Sequence, residues 1–161
     1  MWKGETVSAK EEGPVQKSLR TTRGGTPRLK PIGVIRSVLK ERSKAPRQGG
    51  EGAPDAWLEV HPFAAQAVDG LKIGDEIVVL TWLHRAQRDV LKVHPRSDTQ
   101  RRLTGVFATR SPDRPNPIGL HEVTVRKVAK NRLRVGPIEA IDGTPVIDIK
   151  PVICPGWSKK S

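Results

Sequence analysis

At 161 residues the chain has the size of one domain, long enough to bury a core without disulfide or metal staples. Its 29 Lys and Arg outnumber 17 Asp and Glu, giving a net charge of +12 and an isoelectric point near 10.5; this points to an anionic partner, nucleic acid before an anionic membrane, unless the excess only aids solubility. A single cysteine excludes an internal disulfide framework and a cysteine-based zinc or iron–sulfur site, while the lack of an apolar run near 18 residues and the opening Met1-Trp2-Lys3-Gly4-Glu5 lead to the expectation of a soluble cytoplasmic protein without a membrane span or signal peptide.

Residues 1–50 hold 12 basic and 4 acidic residues, so the first third of the chain carries +8 of the net charge. Residues 1–30 show no apolar period and are expected to form a disordered basic tail. The body, residues 31–153, opens with Ile32-Gly33-Val34-Ile35-Arg36-Ser37-Val38-Leu39, a strand started by Pro31. A long Gly-, Pro- and charge-rich loop follows from Lys40 to about Asp55; loops of that length in small domains are often functional. Trp57–Val60 reads as a short strand, Pro62–Leu71 as one short helix closed near Gly70, and Lys72–Asp75 as a turn. Glu76–Leu83 is the most apolar stretch, and its β-branched content favours a buried strand.

Residues 85–102 are strongly basic and read as a loop, and Leu103–Thr109 as a strand broken by Gly105. Val123, Val125 and Val128 mark another strand, with Thr124 and Arg126 on its other face. Asn131 is a turn residue before Leu133, Val135 and Ile138, and Asp142-Gly143 is a second turn before Val146–Ile149. Residues 154–161 form a short tail. Roughly seven short strands and one short helix, with no βαβ alternation, predict a mainly β protein, a small antiparallel β-barrel or a sandwich.

The chain has no Gly-rich dinucleotide fingerprint, no phosphate loop and no G-x-S-x-G nucleophile elbow. His61, His84, His94 and His121 lack metal-ligand spacing, so each is expected at the surface or hydrogen-bonded and no metal is expected; Cys154 is assigned no role. The informative stretch is Gly105–Leu120. Pro112, Pro115 and Pro117 fix φ and cannot donate ladder hydrogen bonds, so this is a stiff, irregular loop presenting Arg110, Arg114 and Asn116. It is either a binding site on a rigid frame or a proline-stiffened connection with solvated arginines.

Four segments in order carry a more specific signal: Pro-Ile-Gly-Val-Ile-Arg-Ser at 31–37, Pro-Arg-Gln at 46–48, Phe-Ala-Thr-Arg-Ser-Pro-Asp-Arg-Pro-Asn-Pro-Ile-Gly-Leu at 107–120 and Asp-Gly-Thr-Pro-Val-Ile-Asp-Ile-Lys-Pro at 142–151. Together they resemble the TsaA-like (TrmO-type) family over about residues 30–153. The resemblance implies a small β-barrel that uses S-adenosyl-L-methionine to methylate the N6 nitrogen of threonylcarbamoyladenosine beside the tRNA anticodon. It also implies a homodimer with the cofactor near the subunit interface. Carried over by motif, cofactor contacts fall on Pro46, Arg47, Gln48, His84, Arg85, Arg110 and Leu120, and on the turn of Asp142, Gly143, Thr144 and Pro145. Arg114 and Asn116 are assigned to the substrate. Asp142, Asp148 and His84 remain alternative general bases, and Arg110, Arg114 or Arg85 alternative clamps for the threonyl carboxylate. The chain departs from longer members in its basic N-terminal extension, in Val152 where an aromatic is common, and in ending soon after Asp-Ile-Lys-Pro, which implies a form without their small C-terminal domain. The alternatives are a non-catalytic S-adenosylmethionine- or RNA-binding module and a small-molecule methyltransferase on the same fold.

Overall fold

Period-two alternation of apolar side chains decides the architecture of residues 28–153, the part of the chain described by the structure, a computed structural model. The expected N-terminal tail up to residue 27, Cys154 and the tail at 154–161 lie outside the described residues. Among the described residues there are eight strands: β1 (Gly33–Arg36), β2 (Ala56–Val60), β3 (Glu76–Trp82), β4 (Lys92–Val93), β5 (Thr104–Gly105), β6 (Ile118–Ala129), β7 (Arg132–Gly136) and β8 (Pro145–Pro151). Six of them close a barrel in the order β1-β2-β7-β6-β3-β8, every neighbour antiparallel, and β4 and β5 form a separate ribbon. Closure leaves the barrel without open edges.

The barrel is filled by Ile35, Leu58, Ile77, Val79, Val125, Leu133, Val135 and Val146, all fully buried. Each side chain of this kind contributes about 1.5–3 kcal/mol when removed from water. Val125 and Val128 lie three residues apart yet both pack on the core. A bulge between Val125 and Lys127 inserts Arg126 into β6 and resets the alternation.

The one short helix expected over Pro62–Leu71 is present as a 3-10 helix over Pro62–Val68, started by Pro62 and followed by Gly70 at φ +88°. Other expectations are corrected. The basic loop at 85–102 contains β4 and a 3-10 turn, Pro95–Ser97. The expected strand Leu103–Thr109 keeps only β5, because Val106–Ala108 winds into a 3-10 turn closed by the Thr109 amide on the Val106 carbonyl. Ile118-Gly119-Leu120, assigned to the proline-rich loop, is the start of β6, whereas Ile138 lies beyond β7, after a cis Gly136–Pro137 bond.

The antiparallel order sorts the connections. The loops 37–55, 83–117 and 137–144 all emerge at one end of the barrel, where β1, β3 and β7 finish and β2, β6 and β8 begin. The other end carries the 3-10 segment and the tight β6–β7 turn, whose Asn131 side-chain amide donates to the Val60 carbonyl at 2.7 Å.

Candidate functional site

The sequence segments that carry the family resemblance, apart from the bodies of β1 and β8, meet on that one rim. The first rim loop brings Pro46, half-buried, and Arg47 and Gln48, both exposed. The second starts at His84 and Arg85 and returns through the proline-rich stretch. The third contains the Asp142–Pro145 turn.

The proline-rich loop is held by its own arginine. Arg114 donates from Nε to the Ser111 carbonyl at 2.8 Å, and from one terminal nitrogen to the carbonyls of Val106 at 3.0 Å and Thr109 at 2.6 Å. An irregular loop leaves carbonyls without ladder partners; this guanidinium satisfies those of Ser111 and Thr109 and adds a third donor to that of Val106, which also accepts from the Thr109 amide and hydroxyl. Arg114 is thereby engaged in shaping the loop. Arg110 and Asn116 are exposed, and the Asn116 carbonyl accepts from the Ile118 amide at 2.8 Å.

Asp113 ties the loop to its neighbours. Its carboxylate accepts from the Gln87 amide at 2.8 Å and from the Arg42 guanidinium. Partial burial pushes the Asp113 carboxyl upward, but the Arg42 hydrogen bond, the Gln87 amide and the Arg42 charge outweigh it and hold the group below its ordinary value. The Arg114 amide donates to the Gln87 carbonyl at 3.0 Å, and Arg85 reaches across to the Lys40 carbonyl at 3.1 Å.

The Asp142 turn is built in the same way. Asp142 accepts from the Ser37 amide at 3.0 Å and pairs with Lys40 at 2.9 Å. The Lys40 hydrogen bond is the largest influence on its carboxyl and, with the Ser37 amide and the charges of Lys40 and Arg36, holds it below the ordinary value against a smaller effect of burial. Gly143 sits at φ +79°, a conformation that favours glycine, and its amide donates to Ile35. Thr144 is buried and its hydroxyl donates to the Ile141 carbonyl at 2.7 Å.

The three candidate bases are not brought together. Asp142 is engaged by Ser37 and Lys40. Asp148 lies in β8 opposite Leu80, on the outer face, and pairs with Lys150 at 2.8 Å. His84 is exposed, and its imidazole is lowered by partial burial and by the adjacent Arg85 charge. Leu120 is also on the outer face, opposite Leu80 of β3.

Sequence reasoning missed a buried polar layer beneath the rim. Thr81 and His121 point into the barrel above Val79 and Val123, with 0% and 5% of their surface exposed. The His121 Nε2 lies 2.9 Å from the Thr81 hydroxyl, and its Nδ1 lies 2.9 Å from Oε1 of Glu139, which descends from the third rim loop. A Cβ on Gly119 would collide with both Thr81 Oγ1 and His121 Nε2, so only glycine leaves room for this contact. Burial pushes the Glu139 carboxyl upward. The His121 hydrogen bond and charge, its own backbone amide and the Arg110 charge together outweigh burial and hold it below its ordinary value. A signal for His121 was present: it shares the inward parity of Val123 and Val125. Glu139 had none, because it sits in a loop.

Among the described residues no cluster of three or more His, Cys, Asp or Glu can hold a metal, and no helix is long and apolar enough to cross a membrane. A cavity of about 280 Å³ lies at the opposite end, lined in part by Gln66, Leu71 and Val128, and one of about 200 Å³ lies on the flank beside Glu76 and Glu122; neither is at the rim.

Comparison with known proteins gives a consistent result. Over 125 residues, 76% of this chain, it is 51% identical to an S-adenosyl-L-methionine-binding protein of Archaeoglobus fulgidus, of which the match covers 86%. It is 48% identical over 124 residues, 77% of this chain, to a probable S-adenosyl-L-methionine-binding protein of Methanothermobacter thermautotrophicus, of which 88% is covered. The crystal structure of TrmO from Pseudomonas aeruginosa superposes with a TM-score of 0.64 at 31% identity, over 85% of this chain and 60% of that one; the chain thus spans less than two thirds of the length of that solved relative. Residues 34–155 match the model of the tRNA-methyltransferase O N-terminal domain, and the chain belongs to that family.

Proposed function

We propose that this protein binds S-adenosyl-L-methionine on the rim and transfers its methyl group to the N6 nitrogen of threonylcarbamoyladenosine in the tRNA anticodon loop. The observation that carries the proposal is the convergence of the three loops bearing Pro46–Gln48, His84–Asn116 and Asp142–Pro145 at one barrel end. The donor set fits the cofactor. Arg47, Arg85 and Arg110 suit its carboxylate, while loop carbonyls suit a cation. Gly49 provides a close approach, since a Cβ there would crowd the Pro137 carbonyl and Glu139 Oε2. When bound, the cofactor supplies an electrophilic methyl group.

The work left to the protein is in-line positioning and exclusion of water. Of the alternative clamps for the threonyl carboxylate, Arg114 is engaged within its loop, which leaves Arg85 or Arg110, whichever does not hold the cofactor. The RNA backbone meets a matching field: residues 83–117 hold eight Arg and Lys against three Asp. A rim open to solvent and the exposed apolar side chains Leu91, Leu103 and Phe107 beside it favour a homodimer that completes the site.

The test is to incubate the protein with labelled S-adenosyl-L-methionine and bulk tRNA from a strain lacking the gene, then identify the labelled nucleoside by mass spectrometry. Label in N6-methylated threonylcarbamoyladenosine is expected. The names of the archaeal relatives speak only of binding and favour a second reading, a non-catalytic cofactor-binding module. Cofactor binding without label in tRNA or in any small molecule would establish that alternative.

A further inference from the structure

Among the rim carboxylates described, Glu139 is set apart by being held from within the barrel. Asp113 and Asp142 are each held by a basic side chain and a backbone amide, Glu41 pairs with Lys44, Glu51 with Arg96, Asp55 with Arg134 and Asp98 with Arg101, and Asp89 is exposed. Glu139 makes no ion pair with a lysine or arginine. Instead its Oε1 is fixed by the buried His121, itself fixed by the fully buried Thr81, and its Oε2 is left facing Gly49. About a quarter of its side chain, 23%, is open to solvent, against 4% for His121. An ionised Glu139 accepts from the Nδ1–H of His121, and the Nε2 of the same ring shares a hydrogen bond with the Thr81 hydroxyl. Every polar atom of this buried pair is satisfied, and among the described residues no buried side-chain polar atom is left without a partner. A carboxylate oriented through two buried groups, between the loop of Gly49 and the charge of Arg110, has the build of a reactive group rather than of a surface charge.

We propose that Glu139 is the general base of the methyl transfer, with His121 and Thr81 as the residues that position it. The inference rests on the methyltransferase reading above. As the target nitrogen directs its lone pair at the methyl carbon, the N–C bond forms, the C–S electron pair returns to sulfur, and the N–H proton passes to Glu139 Oε2. The nitrogen becomes strongly acidic as that bond forms, so even a carboxylate below its usual range can accept the proton.

The groups facing Glu139 are His121 from β6 and Arg110 from the proline-rich loop. Weakening the His121 hydrogen bond therefore raises the Glu139 value and moves the acid limb of the rate to higher pH. The experiment compares wild type, Glu139→Gln and Thr81→Val in tRNA methylation across a pH series. It adds calorimetric affinities for S-adenosylmethionine and S-adenosylhomocysteine, and nitrogen NMR of His121 without cofactor. Glu139→Gln should lower kcat about 100-fold or more, with KM for tRNA and both affinities within about twofold. Thr81→Val should keep cofactor affinity, shift the acid limb upward, and alter the His121 nitrogen signals. An active Glu139→Gln variant overturns the role. So does a loss confined to affinity for the cationic S-adenosylmethionine and absent for S-adenosylhomocysteine, which would make Glu139 a counter-ion. So does an unmoved acid limb together with unaltered His121 signals in Thr81→Val. Wild-type protein that methylates no RNA overturns the functional reading and this role with it, whereas an active wild type with an equally active Glu139→Gln overturns the role alone.

Discussion

Arg42 and Asp113, 71 residues apart in sequence, form an ion pair that fastens the first rim loop to the proline-rich loop. Because the same carboxylate also accepts from the Gln87 amide, one side chain fixes three segments at once. Prolines stiffen a loop internally but cannot set its position on the barrel, and this pair supplies that missing constraint.

Asp113→Asn is expected to lower stability by about 1 kcal/mol at neutral pH, a charge-assisted bond discounted for its solvent exposure. The Asp113 carboxyl lies below its ordinary value. Its contribution is therefore fully present above about pH 4, the unfolded value, and is lost as the pH falls through the lower folded value. Denaturant titrations of both proteins should differ at pH 7 and converge in strong acid. A gap that persists at the lowest pH would assign the effect to something other than this ionisation.

Arg110 and Arg114 share a loop and should behave oppositely. Arg114→Ala strands the Thr109 and Ser111 carbonyls, while that of Val106 keeps the Thr109 amide and hydroxyl, and is expected to cost about 2 kcal/mol, with the loop loosened. Arg110→Ala removes an exposed side chain and should leave stability within about 0.5 kcal/mol, yet weaken cofactor binding or turnover. Asn116→Ala, also exposed, should follow Arg110. Thermal unfolding and calorimetry on the three variants separate the two behaviours. Equal loss of stability in Arg110→Ala and Arg114→Ala would remove the distinction.

Much of the barrel was legible because alternation is local. Ile77 and Val79, or Val123 and Val125, announce an inward face within a few residues, and Asp142-Gly143 announces its turn. What could not be read depends on partners far away in sequence. Arg110 and Arg114 are the same residue four positions apart, and only the carbonyls of Val106, Thr109 and Ser111 tell them apart. The ribbon of β4 and β5 depends on pairing across a loop, with the Val106 amide on the Leu91 carbonyl 15 residues earlier. The Thr81–His121–Glu139 chain needs strand register to bring β3 beside β6 and a loop to close over both.

Phe107 provides a test of assembly. Its side chain is 82% exposed at the rim, beside a ribbon that also presents Leu91 and Leu103. Uncovered apolar surface of this kind is characteristic of an interface. Wild-type protein should sediment as a dimer at micromolar concentration, and Phe107→Asp should shift it to monomer with reduced activity and an unchanged circular dichroism spectrum. A fully active wild-type monomer would remove the dimer from the proposed function.

The basic N-terminal extension should contribute RNA affinity and not chemistry. Residues 2–28 hold Lys3, Lys10, Lys17, Arg20, Arg23 and Arg28 against three glutamates, and none of the family motifs begins before Pro31. Cations that contact phosphates gain affinity by releasing condensed counterions, with a log–log salt slope of about −0.7 to −0.9 per contact. If the net charge of this segment equals three such contacts, deleting it should flatten the salt dependence of tRNA binding by about 2 and raise the apparent Kd at low salt. Cofactor affinity and kcat at saturating tRNA should be unchanged. Binding titrations of both proteins across a salt series decide the matter. Superimposable slopes would make the segment inert toward RNA, and a large fall in kcat at saturation would mean that it reaches the rim and takes part in the reaction.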